Sequence, residues 1–339
     1  MNRLQSVLGL ELPLLQAGMG GIAGPELCAA VSRAGAGGAL ALYKEPPERT
    51  RELVRAVVAS TSRPFAVNVI PEVSGPALCR AQLRAALEEL PARAFVTSFG
   101  LPDAGAAHDV VRSGRVLVIQ VGTLHDADAA LRLGAGVLVL QGTGAGGHLL
   151  GELPSARLLH ETRARYSDAV LAVAGGVATG ADLARMLARG ADGAMAGTLF
   201  VPTAESAAHP YYKQRVADAS ADDTVVTTRF DIGWPGRPHR VLRNSLTGKA
   251  PRRPATFIAT TRAGGSRLPV PRYSAAVPVA ATVGRVEEMA MYCGRSCSRV
   301  AGQHPAAAVV EQFRRTYEAA GQSRETSTEG GPWKKRSSR

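Results

Sequence analysis

His148 stands in the glycine-rich stretch "GTGAGGHLLGE" (142–152), directly behind the apolar run "GVLVLQ" (136–141). Its imidazole can accept a proton from a carbon acid, or as imidazolium it can pair with an anion. Three neutral amides, Asn68, Gln120 and Gln141, fall at or near the ends of apolar runs. They donate and accept hydrogen bonds at once, as a flavin's ring edge or ribityl chain requires. Two further segments are small and glycine-bearing: "AGGVATG" (174–180), with Gly175 and Gly176, and "AGTLF" (196–200), with Gly197 and Thr198. Exposed backbone N–H groups in such turns suit a phosphate.

These groups can meet only if the chain brings its strand ends to one place. Eight short apolar runs recur, at 14–17, 37–42, 65–70, 94–99, 115–121, 136–141, 169–175 and 193–200. Ala/Leu/Arg stretches with helical spacing separate most of them, several opening on Pro and closing on Gly. Continuous apolar strands alternating with amphipathic helices imply a parallel sheet covered by helices, and eight repeats make it an α/β fold of the (β/α)8 barrel type. Barrel sites form at the carboxyl ends of the strands, where Gln16 with Met19, Asn68, Ser98, Gln120, Gln141, Gly175 with Gly176, and Gly197 with Thr198 fall in turn. His148 follows the sixth strand and reaches the same mouth. The expected organisation is a barrel core over 1–200, a helical or irregular insertion on the substrate side over 201–283, helices completing the barrel over 284–321, and a disordered basic tail over 322–339.

With 339 residues, 45% hydrophobic and 20% charged, the chain can bury a large core. The net charge of +12 is local: ten Lys/Arg face the single Asp231 between Arg229 and Arg272, and five face two acids over 322–339. Neither segment interleaves aromatics with the bases, so solvated loops are expected and nucleic-acid binding is not. No secretory or membrane-spanning segment is read, so a cytoplasmic protein is expected. Cys28, Cys79, Cys293 and Cys297 lack metal-ligand spacing, so no metal is expected and the thiols read as buried. No Gly-x-Gly-x-x-Gly follows a first strand, and no Walker loop occurs.

Taken in order, "PLLQAGMGGIAGPELCAAVSRAGAGGAL", "PFAVNVI", "VTSFGLP", "VLVLQGTGAGGHLLGE", "VLAVAGGVATGADLARMLARGADGAMAGTLFVPTAES" and "GWPGRPHRVLRNS" resemble the segments of the nitronate monooxygenase family, once called 2-nitropropane dioxygenases. The likeness spans roughly residues 10 to 300. It implies an FMN-binding barrel, with FMN lined by Met19, Asn68, Gln120, Gln141, Gly175, Gly176, Gly197 and Thr198, and with Gly176, Gly197 and Thr198 at its phosphate. His148 matches the family's catalytic histidine. The implied reaction is oxidation of a small nitronate by O2, releasing nitrite and a carbonyl compound. Gln120 stands where many members have lysine, and Leu149 and Leu150 replace the usual glycine or basic residue after the histidine.

FMN-dependent enoyl-acyl-carrier-protein reductases share most of these motifs, so a NAD(P)H-dependent enoyl-thioester or other flavin reductase is the first alternative. A non-enzymatic binding module on the same barrel is the second. Trp234, Arg240 and Asn244 read as residues that fix the insertion against the barrel, with an anionic substrate as the alternative partner of Arg240. His108, His125, His160, His209, His239 and His304 carry no assigned chemistry.

Overall fold

The computed structural model describes residues 2–263, 266–300 and 302–329. The apolar runs form eight parallel strands, buried along almost their whole length: β1 (Leu14–Gln16), β2 (Gly38–Ala41), β3 (Phe65–Val69), β4 (Phe95–Phe99), β5 (Leu117–Val121), β6 (Val137–Gln141), β8 (Leu171–Ala174) and β9 (Gly193–Ala196). A two-residue strand, β7 (Gly147–His148), lies between β6 and β8 in the chain but outside this sheet. The strands run in the order β1-β9-β8-β6-β5-β4-β3-β2. A parallel bridge between Leu15 and Gly37, just ahead of β2, closes the circle. The fold is the expected (β/α)8 barrel.

Helices α1 (Arg3–Leu8), α2 (Pro25–Arg33), α3 (Pro47–Ser60), α4 (Pro71–Glu89), α5 (Ala104–Arg112), α6 (Leu124–Arg132), α7 (Ser155–Arg165) and α8 (Gly180–Leu187) accompany the strands. Pro25, Pro47 and Pro71 open three of them, where a missing N–H costs nothing. Asp103, Thr123 and Thr179 cap α5, α6 and α8 through side-chain oxygens. Because strand side chains alternate, one set packs inside the barrel and the other under the helices. Leu15, Ala39, Ala66, Phe95, Val118 and Val139 belong to the inner cluster, which Leu4 and Leu8 of α1 also join. Leu138 and Leu140 belong to the outer one.

The same alternation decides which polar strand ends face the mouth. Asn68, Gln120 and Gln141 continue the inward sets of Ala66, Val118 and Val139. Gln16 and Ser98 fall in the opposite phase: the Gln16 amide accepts from the Ala39 N–H at 2.9 Å, and the Ser98 hydroxyl donates to the Gly100 carbonyl at 2.8 Å. Neither lines the mouth.

Beyond β9, a short 3-10 turn (Thr198–Phe200) leads to α9 (Pro210–Ala217), then β10 (Thr224–Thr227), β11 (His239–Leu242), β12 (Phe257–Ala263), β13 (Ser266–Pro271), β14 (Val283–Gly284) and α10 (Ala306–Glu329). Where the sequence reads as a helical or irregular insertion, the chain carries one α-helix and two small antiparallel sheets, β10-β11-β7 and β13-β12-β14. The first borrows β7 from the barrel loop, pairing His239 with His148. α10 crosses α8 at Gly180, where a Cβ would lie 2.1 Å from the Tyr317 backbone nitrogen. This helix runs on to Glu329, past residue 322, where composition places the start of a disordered tail. Its Gln, Arg and Glu residues are compatible with helix; 330–339 lie outside the described residues. No helix among the described residues is long and apolar enough to cross a membrane.

Candidate active site

At the carboxyl ends of the strands a cavity of about 530 Å³ opens, within the size range of small-molecule and cofactor sites. His148, Asn68, Gln120 and Gln141 line it, as do Met19, Gly175, Gly176, Gly197 and Thr198. All nine residues singled out from the sequence therefore share one space. The insertion contributes Trp234 and Val277, and the segment before α10 contributes Tyr292, Gly294 and Ser296. Glu45 and Arg49 are its only Asp, Glu, Lys or Arg among the described lining residues.

One end is built from backbone. Gly175 and Gly176 adopt φ 95 and 88, the left-handed region, and a Cβ on Gly176 would meet no atom within 4 Å. Gly144 comes close, since its Cβ would lie 3.7 Å from the Gly176 nitrogen. Arg299 grips this loop from outside, donating to the Gly176 carbonyl at 2.8 Å while paired with Asp182 at 3.2 Å. Gly294 N–H donates to the Thr198 hydroxyl at 2.9 Å, leaving that hydroxyl's own proton to give. Open space beside successive backbone N–H groups, with hydroxyls at Thr198 and Ser296, fits a phosphate without a dedicated cation.

The amides divide by what they already bond. Asn68 Oδ1 accepts from the Thr97 hydroxyl at 2.9 Å, which leaves its NH2 group to the cavity. Gln120 is half-buried and its side chain has no hydrogen bond among the described residues. Gln141 is bonded at both ends: its Nε2 donates to the His148 carbonyl at 2.9 Å and its Oε1 accepts from Leu150 N–H at 2.7 Å. Gln141 thus holds the histidine loop while lining the cavity, and its second Nε2–H and second Oε1 lone pair remain for the expected cofactor contact. Met19 packs by Gly197, whose Cβ would lie 3.4 Å from the Met19 sulfur.

His148 is 6% exposed. Its ring lies parallel to that of Trp234, with centroids 3.6 Å apart, and within 5.0 Å of His239 and 5.1 Å of Tyr292. Burial, with smaller contributions from the neighbouring His239 and Arg237, pushes its pKa down to about 3. It is therefore uncharged at neutral pH, which favours the proton-accepting role over pairing as a cation. Its Nε2 is enclosed and has no hydrogen-bond partner among the described residues. His239, by contrast, is satisfied on both sides: Nδ1–H donates to the Arg237 carbonyl at 2.9 Å and Nε2 accepts from Phe230 N–H at 3.3 Å. Arg240 ties the insertion to the glycine loop, with Nη2 donating to the Thr143 carbonyl at 2.9 Å.

Sequence reasoning missed Trp234, Tyr292 and His239 as neighbours of His148. The hydrophobic "GWPG" turn was visible, but its pairing with a loop about 86 residues away was not. Among the described residues no group of three or more His, Cys, Asp or Glu could hold a metal.

A profile of the nitronate monooxygenase family matches residues 1–315. A (3aS,4S,5R,7aS)-5-hydroxy-7a-methyl-1-oxo-octahydro-1H-indene-4-carboxyl-CoA dehydrogenase of Mycobacterium tuberculosis is 33% identical over 249 residues, covering 73% of this chain and 67% of the relative. A nitronate monooxygenase of Paraburkholderia phytofirmans is 29% identical over 311 residues, covering 77% and 82%. Among solved structures, nitroalkane oxidase from Streptomyces ansochromogenes superposes with a TM-score of 0.73 at 26% identity, over 94% of this chain and 99% of that one. FabK from Thermotoga maritima shares the fold with a TM-score of 0.79 at 24% identity, over 96% and 99%. With the family profile running through barrel, insertion and the first ten residues of α10, the chain belongs to the nitronate monooxygenase family and is an oxidoreductase.

Proposed function

We propose that this chain is an FMN-dependent oxidase of alkyl nitronates, taken up preformed or generated in the site from the neutral nitroalkane, consuming O2 and releasing nitrite and a carbonyl compound. The observation that carries the reading is the uncharged, buried His148 on the wall of a cavity whose other end is a glycine loop with open space beside Gly176. The chemistry that FMN supplies when bound is two-electron oxidation of the substrate and return of those electrons to O2. Backbone N–H groups at Gly176 and Gly197 and the Thr198 hydroxyl would hold its phosphate, while the free ends of Asn68 and Gln120 would meet its polar edges.

His148 takes the proton from the carbon beside the nitro group. Charging this imidazole where it sits costs about 5 kcal/mol, the equivalent of the fall from 6.5 to about 3. An anion forming about 4 Å away returns about 4 kcal/mol at an effective dielectric near 20. Proton transfer is thus tolerable because the imidazolium and the nitronate are born together. A preformed nitronate does not need this step.

One observation favours a second reading, a thioester substrate: the 33%-identical relative is named as a dehydrogenase of a carboxyl-CoA. Anaerobic mixing of the purified yellow protein with a nitronate, an acyl-CoA, NADH or NADPH separates the two. Bleaching by the nitronate alone supports the oxidase. Rapid bleaching by NAD(P)H or by the thioester, with none by nitronate, would replace it.

A further inference from the structure

Tyr43 lies in the loop between β2 and α3, and it lines the cavity. The chain fixes this loop from both sides. Leu42 N–H donates to the Asn68 carbonyl at 2.9 Å, and Nε2 of the wholly buried Gln82 donates to the carbonyls of Leu42 at 2.6 Å and Glu45 at 2.8 Å. Between those carbonyls Lys44 takes φ 56, a left-handed conformation that a residue with a side chain keeps only where its surroundings impose it. The ring is set as firmly as the backbone. A Cβ on Gly20 would lie 3.0 Å from Tyr43 Cγ, so the first barrel loop runs along the ring, which also packs with Ile70, Trp234 and Ala275. Tyr292 is near as well: its hydroxyl titrates above the usual phenol range, chiefly through burial and also through the Tyr43 phenol. Gly20, Ile70, Trp234, Ala275 and Tyr292 all line the cavity, so the side chain stands among its walls.

Packing does not account for the hydroxyl. Tyr43 is half-buried and its oxygen has no hydrogen-bond partner among the described residues, yet the atom is not enclosed as the Trp234 nitrogen is. A phenylalanine would satisfy every packing contact named above. Burial raises the phenol's pKa, so at neutral pH it carries a proton to donate. Its neighbours Trp234 and Tyr292 are those of His148, with ring centroids 3.6 and 5.1 Å from the imidazole. An accessible, unpaired donor on a fixed loop, in the wall that carries the base, is arranged to receive negative charge formed there.

We infer that Tyr43 is a substrate-binding residue whose hydroxyl donates to an oxygen of the anion formed beside His148. The identity of that anion as a nitronate rests on the oxidase reading; the donor itself does not. The ligand is a compact, planar oxyanion, for which nitrite, the proposed product, is the practical probe.

The test uses the flavin-loaded protein as purified. Tyr43→Phe keeps the ring and removes the donor, so nitrite, titrated against the visible flavin spectrum, should bind roughly tenfold to hundredfold more weakly, and kcat/KM for a nitronate should fall by a similar factor. Flavin content and melting temperature should stay at wild-type values, because the hydroxyl bonds nothing in the protein. A second measurement needs no variant: a crystal structure of the wild type with nitrite should place a nitrite oxygen within hydrogen-bond distance of the Tyr43 hydroxyl. Wild-type nitrite affinity in Tyr43→Phe, a nitrite seated away from the hydroxyl, or no nitrite binding by wild type would each overturn the inference. Lost flavin or a lowered melting temperature in Tyr43→Phe would overturn it too, by giving the hydroxyl a structural role. Failure of the oxidase reading looks different: wild type would turn over no nitronate, while nitrite affinity would still depend on the hydroxyl.

Discussion

Replacing His148 by Gln should make the protein markedly less sensitive to acid. In the unfolded chain a histidine takes up its proton near pH 6.5, whereas in the folded protein burial holds His148 down to about 3. Between those values the unfolded state binds the extra proton and the folded state does not. Stability is therefore intact above the unfolded value and is lost as pH falls below it. By linkage the loss from this side chain is about 2 kcal/mol at pH 5 and about 3 kcal/mol at pH 4. The pH 5 figure barely changes if the folded value is 4 instead of 3. Urea unfolding of wild type and His148→Gln at pH 7 and pH 5, at one fixed flavin concentration, measures it: the wild type should lose about 2 kcal/mol more than the variant. Because the other carboxylates and histidines are common to both proteins, they cancel in the difference. Equal losses would mean that His148 titrates normally in the folded protein, and the argument for a neutral base would fail.

Other outcomes follow from the same geometry. Gly176→Asp should lose bound flavin, because a carboxylate would enter the open space beside the cradle; Gly176→Asn, with the same backbone strain at φ 88 and no charge, should keep more. Equal flavin absorbance in both would refute the phosphate assignment. Gln141→Leu removes both bonds that hold the His148 loop, so urea melts should show a loss of about 2 kcal/mol and kcat should fall with flavin retained. Gln141→Glu keeps the acceptor for Leu150 and should recover part of both; no recovery would argue against a positioning role. For a neutral nitroalkane, kcat/KM should show no acid limb near pH 6.5, since the base stays unprotonated down to about 3. A limb between pH 6 and 7 would assign the proton to another group.

The barrel was legible because its strands are buried on both faces and so read as unbroken apolar runs. Position within each run carried more than residue type did. Asn68, Gln120 and Gln141 share inward phase with Ala66, Val118 and Val139, while Gln16 and Ser98, equally polar and equally near strand ends, face the other way. That phase could have been counted from the sequence. What could not be read was the insertion. Its strands are short, and β7 gains a partner only through β11, far along the chain. The stack of Trp234 on His148 depends on that pairing, and no periodicity announces it. Gln141 shows the same limit on a smaller scale: that this amide also holds the His148 loop, through bonds to the His148 carbonyl and the Leu150 N–H, could not be read from its place at a strand end.

The most direct measurement is steady-state oxygen consumption, with nitrite release, by wild type and His148→Ala at matched flavin content, using a neutral nitroalkane and its preformed nitronate in parallel. If His148 is the base, the variant should lose on the order of a hundredfold to ten-thousandfold with the nitroalkane and much less with the nitronate. Equal losses with both forms would contradict proton abstraction by His148, and wild-type rates with both would remove it from the chemistry altogether.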